Sequence, residues 1–136
     1  GRPLVVVPHD PGVARRAVVH VGVHSFTPDL PGDRAFELSV LSDPRRPGER
    51  ALYQLLAGAL RDAVPGLRVL ANQPYKGTSD GLTRCLRQVH PDARYRGLEL
   101  EFNQGWLARA QDAPEQRRRL DTVVRVLADT LARPPS

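Results

Sequence analysis

The sequence predicts an α/β protein of three layers, a mostly parallel or mixed sheet flanked by helices. Short β-branched or alternating runs bounded by Gly, Pro, Asn or Asp recur along the chain. Between them lie segments whose apolar residues repeat at three and four, the period of a helix with one buried face. At 136 residues the length fits one domain over 1–136, large enough to bury roughly two-thirds of its unfolded surface.

Taken in order, "PLVVV" (3–7) and "AVVHVGVH" (17–24) read as strands, followed by "FELSVL" (36–41). "GERALYQLLAGALRDAV" then carries Leu52, Leu55, Leu56, Ala59, Leu60 and Ala63 on one stripe, with Pro47-Gly48 before it and Pro65-Gly66 after it. This is a helix lying on the sheet. "LRVLA" (67–71) is a strand, and "DGLTRCLRQV" is a short helix that Asp80 can cap and that ends before His90-Pro91. "GLELEF" (97–102) is the last strand, and a helix from Pro114 sets Leu120, Val123, Val124, Leu127 and Leu131 on one face.

Composition narrows the function classes. The chain carries a net charge of +5, and its basic residues are almost all arginine, Lys76 being the exception. Acids interrupt the arginine clusters and aromatic residues make up only 5% of the chain, so a nucleic-acid partner is not expected. No apolar run approaches the ~18 residues that span a bilayer, and no secretory leader pattern opens the chain, which gives the expectation of a cytoplasmic protein without a membrane partner. Cys85 is the only cysteine, so neither an internal disulfide nor a thiolate metal site can form. A metal here needs histidine and carboxylate ligands.

Three stretches could carry chemistry. In "HVGVHSFTP" (20–28), strand alternation puts His20, Gly22 and His24 on one face and Val19, Val21 and Val23 on the other. His20 and His24 are ~13 Å apart in extended chain, too far to share a metal. His24, at the strand's end, is the better candidate, while His20, His90 and Trp106 are expected to be structural. "NQPYKGTSDGLT" (72–83) is a strand-to-helix loop dense in turn residues, which suits either turn formation or ligand contact. "LELEF" (98–102) places Glu99 and Glu101 on one strand face, and a carboxylate held there is a rigid general base if that face lines a pocket.

"HVGVHSFTP", "LSDPRRPGE", "NQPYKGTSDGLT" and "RGLELEFNQ" occur in this order and resemble the N-formylglutamate amidohydrolase family, whose members are similar to zinc carboxypeptidases and aspartoacylases. The resemblance covers roughly Arg16 to Gln104. It implies a zinc-carboxypeptidase-like fold, zinc as cofactor, His24 as a metal ligand and Glu99 as general base and acid. It further implies that Arg34 pairs with a substrate carboxylate and that Asn72, Tyr75 and Gly77 line the pocket. The implied reaction is hydrolysis of an N-acylated amino acid, such as N-formyl-L-glutamate, to formate and glutamate. The implied partner is a small molecule bearing carboxylates.

The chain departs from the family at its N-terminal part, where the first zinc ligands arise in longer members. Only "PLVVVPHDPG" offers stand-ins, His9 and Asp10, and fourteen residues separate His9 from His24. That interval is short for a crossover between parallel neighbours. In a hairpin, by contrast, His9 sits by the turn and His24 at the far end. The chain thus reads as a truncated or reduced relative, whose metal site a second copy could complete. The alternative is a non-catalytic relative that binds a carboxylate or an acylated peptide.

Overall fold

The computed structural model describes residues 4–7, 18–28, 36–73, 75–79 and 81–133. The elements in order are β1 (Leu4–Val7), β2 (Val18–Phe26), β3 (Leu38–Leu41), α1 (Pro47–Ala63), β4 (Val69–Ala71), a single 3₁₀ turn (Gly77–Ser79), α2 (Gly81–Val89), β5 (Tyr95–Asn103), α3 (Gln104–Asp112) and α4 (Pro114–Ala132). The strands form one sheet in the order β1-β2-β5-β3-β4. β2 and β5 pair in parallel, as do β3 and β4, while β1 runs antiparallel to β2 and β3 antiparallel to β5. The sheet is therefore mixed.

Strand alternation divides the chemistry between two faces. Val19 and Val21 of β2, Leu38 and Val40 of β3, Val69 of β4 and Leu98, Leu100 and Phe102 of β5 point to one side. There they bury against Leu52, Leu56 and Leu60 of α1 and Val123, Leu127 and Leu131 of α4. They belong to the stripes that the 3.6-residue period marks out, and burying each such side chain contributes about 1.5–3 kcal/mol. Leu55 and Val124, expected on the same stripes, are instead 44% and 53% exposed. Trp106 joins the same core, and its indole N–H donates to Gln116 Oε1 at 3.1 Å. It is a packing residue, as expected.

A difference appears after β5. Where no helix was expected, α3 begins at once, because the Asn103 side chain accepts from the Gly105 N–H at 2.8 Å while its amide donates to the Phe36 carbonyl at 3.0 Å. One asparagine thus ends the strand, starts the helix and ties both to the entry of β3.

The opposite face is covered in part by α2. A Cβ on Gly97 would lie 2.6 Å from the Tyr95 hydroxyl and 3.1 Å from Thr83, so glycine is what lets α2 approach β5. Glu49, in the first turn of α1, locks these parts together with no exposure to solvent. It accepts from the Asp43 and Gly97 backbone N–H groups at 2.9 and 3.1 Å, from Arg87 through both Nε and Nη2, and it pairs with Arg46 at 3.2 Å. Arg87 in turn donates to the carbonyls of Gly77 and Gly97. Among the described residues, no helix is long and apolar enough to cross a membrane.

Candidate metal centre

The part of this face beyond α2 carries the candidate chemistry. In the parallel register, His24 lies opposite Glu101 and Gly22 opposite Glu99, all four on the side away from the apolar core. Gly22 has no side chain, so His24 and Glu99 close over it. A Cβ added there would sit 3.2 Å from His24 Nε2 and 3.3 Å from Glu99 Oε1. The imidazole Nε2 and Glu99 Oε2 are 3.1 Å apart. One ligand atom from each of His24, Glu99 and Glu101 falls within 4.8 Å of the others, so this group could hold a metal ion.

Electrostatics favours a cation at this point. Both glutamates are only 6% exposed and stand on a central strand. Two carboxylates taken out of water side by side repel one another, and positive charge shared between them lowers that cost. A protonated His24 offsets one carboxylate, whereas a divalent ion offsets both. The donor set of one imidazole nitrogen with carboxylate oxygens suits zinc and its transition-metal neighbours better than calcium or magnesium, which prefer oxygen alone.

The loop after β4 is anchored beside this group. Ser39 of β3 pairs with Glu101 across the sheet, and its hydroxyl accepts from the Gln73 N–H at 3.2 Å. Asn72 adopts a left-handed backbone, φ 54°, which asparagine tolerates better than most residues. Its Oδ1 then accepts from the backbone N–H groups of Ser42 and Gly77, at 3.1 and 2.9 Å. Gly77 is required for close approach, since a Cβ would stand 2.4 Å from the Ser42 nitrogen. Tyr75, on the same loop, is 45% exposed.

The sequence-derived candidates therefore divide into three groups. His24 and Glu99 meet, with their side chains on the same side of the sheet. Asn72 and Gly77 shape the loop from within, through Asn72 Oδ1 and the absent Gly77 side chain, and Tyr75 stands exposed on it. His9, Asp10 and Arg34 lie outside the described residues. β1 runs antiparallel to β2 and ends at Val7 opposite Val19, five residues along β2 from His24.

Glu101 is the member of the group that has no assigned role from sequence. Its signal was present in the two-residue spacing from Glu99, which places both carboxylates on one strand face. The parallel register that brings it opposite His24 needs the third dimension. His20 behaves as a structural residue, its Nδ1 lying 2.7 Å from the Tyr95 hydroxyl.

No family model and no curated protein matches this chain. Among solved structures, it is similar to the gene product Atu2144 from Agrobacterium tumefaciens, at 25% sequence identity and a TM-score of 0.50. The match covers 80% of this chain and 42% of that one, so this chain spans less than half the length of its structural neighbour.

Proposed function

We propose that this chain carries the site of a zinc-dependent amidohydrolase that cleaves the amide of an N-acylated amino acid, with N-formyl-L-glutamate as the model substrate. The observation that supports this most is the meeting of His24, Glu99 and Glu101 on one sheet face, because the family resemblance implies metal ligation by the first and proton transfer by the second. His24 and Glu101 would hold the ion, as cross-strand neighbours on two paired central strands. Bound zinc supplies Lewis acidity, polarising a carbonyl and lowering the pKa of a coordinated water toward ~7.

The work of this chain is proton transfer and positioning. Glu99, buried and rigidly held on β5, takes a proton from the attacking water as its oxygen bonds to the formyl carbon. It returns that proton to the amide nitrogen as the C–N bond breaks, so that water and amide become formate and a free amino group. Gly22, without a Cβ, keeps the space that the His24 imidazole and the Glu99 carboxyl occupy. The loop from Asn72 to Gly77, fastened to β3, fixes the wall beside Glu101.

Formate release from N-formyl-L-glutamate, followed on the zinc-loaded protein, tests this reading. Glu99→Gln is expected to lower the rate by about 10²–10⁴-fold with zinc retained, the range for loss of a general base. His24→Ala is expected to lose both zinc and turnover. A zinc-loaded protein that releases no formate from N-formyl amino acids, or a Glu99→Gln variant of undiminished rate, would overturn it and leave a binding module.

A further inference from the structure

A second polar site lies where the β3–α1 connection meets the 3₁₀ turn and α2. Two cavities of about 410 and 400 Å³ adjoin there, sharing Asp43, Arg45 and Thr78, and neither is lined by His24, Glu99 or Glu101. Arg46, Arg84 and Arg87 also line the first, and Lys76 the second, together with Asn72 and Gly77 of the loop that also stands beside Glu101.

Most of this charge is already matched. Arg45 grips Asp43 through Nε and Nη2, each at 3.0 Å. Arg87 and Arg46 converge on Glu49, and Arg46 lies 3.9 Å from Asp92. The remaining guanidinium donors of Arg46 and Arg87 go to the carbonyls of Arg87, His90, Tyr95, Gly77 and Gly97. Three cations thus face three carboxylates, with Arg45 against Asp43 and Arg46 and Arg87 against Glu49 and Asp92. Arg84 and Lys76 form no ion pair among the described residues, so the described side chains of the cleft carry a surplus of two positive charges.

From this balance, the geometry points to the cleft as a binding site for a phosphate-class oxyanion carried by a small molecule. Arg84 lines the first cavity and Lys76 the second, on either side of the shared wall of Asp43, Arg45 and Thr78, and together they supply the charge to match a dianion. The Nη1 of Arg45, whose other edge is pinned by Asp43, and the hydroxyl of Thr78 add donors from the shared wall. A tetrahedral phosphate offers three oxygens in three directions to such a set, whereas a carboxylate offers two in one plane. The rigid floor comes from Glu49, so the arginines behind it need no rearrangement when the anion arrives.

Calorimetric titration with inorganic phosphate at low ionic strength tests the site. Saturable binding is expected in the wild type and, unchanged, in His24→Ala, which separates this cleft from the metal centre. Arg84→Ala and Lys76→Ala, both on exposed positions, are each expected to weaken binding about tenfold, the loss of one charge-assisted contact, and the double variant to abolish it. Succinate is expected to bind at least tenfold more weakly than phosphate. The proposal is overturned by absence of saturable phosphate binding, by a folded double variant that binds like the wild type, or by succinate binding as tightly as phosphate.

Discussion

Replacing Glu49 by glutamine tests how the fold holds the site together. The substitution keeps the shape of the side chain and removes its charge, leaving Arg87 and Arg46 with side chains 6% and 14% exposed and their central partner neutral. Breaking one partner of such a buried pair costs about 3–5 kcal/mol, because the uncompensated charge stays out of water. Against a total stability of roughly 5–15 kcal/mol this is a large fraction. At about 3–5 °C per kcal/mol for a chain of this size, the melting temperature should fall by roughly 9–25 °C. Urea unfolding followed by circular dichroism measures the loss directly. The double variant Glu49→Gln with Arg87→Met, which removes one of the two uncompensated guanidinium charges and keeps an amide oxygen as acceptor for the Asp43 and Gly97 N–H groups, should recover part of it. A loss below ~1 kcal/mol in Glu49→Gln would refute the reasoning, since the carboxylate would then not be the group that compensates the arginines.

Two further substitutions probe the site and its surroundings. Gly22→Ala should leave the melting temperature unchanged or slightly raised, because alanine lowers the backbone entropy of the unfolded chain, yet it should weaken zinc affinity about tenfold by pressing on His24 and Glu99. Unchanged affinity in calorimetry would count against the packing of those side chains over Gly22. Asp43→Asn tests pH linkage: the hydrogen bond from the Arg45 guanidinium holds the Asp43 carboxyl below its ordinary value of 3.8. A carboxyl with a depressed folded-state pKa contributes stability that is present above its unfolded value and lost as pH falls through the folded one. The wild type should therefore exceed Asp43→Asn in urea midpoint at pH 5 to 7 and lose that advantage in acid below 3.8. An advantage that persists unchanged there would contradict the assignment.

Much of this architecture was legible in the sequence because periodicity reports burial. The alternation in "VVHVGVH" and "GLELEF" assigned each side chain to the face it occupies, and the leucine spacing of α1 and α4 marked the stripes that meet the sheet. Strand order was not legible, since antiparallel pairing of β3 with β5 depends on contacts between residues sixty apart in the chain. α3 was hidden for a different reason. Gln104-Gly105 reads as loop sequence, and the cap that starts the helix is an asparagine already occupied in the strand. At the site, facing could be read from alternation, which is why Glu99 and Glu101 were placed together. What placed Glu101 opposite His24 was register, a property of two strands and not of either alone.

The measurement that tests the central claim most directly is zinc titration of the wild type, His24→Ala and Glu101→Gln by calorimetry, with thermal melts to confirm that each variant is folded. The account predicts one zinc per wild-type chain and loss of that site in both variants. A folded wild type that takes up no zinc, or variants that bind it with wild-type affinity, would contradict it.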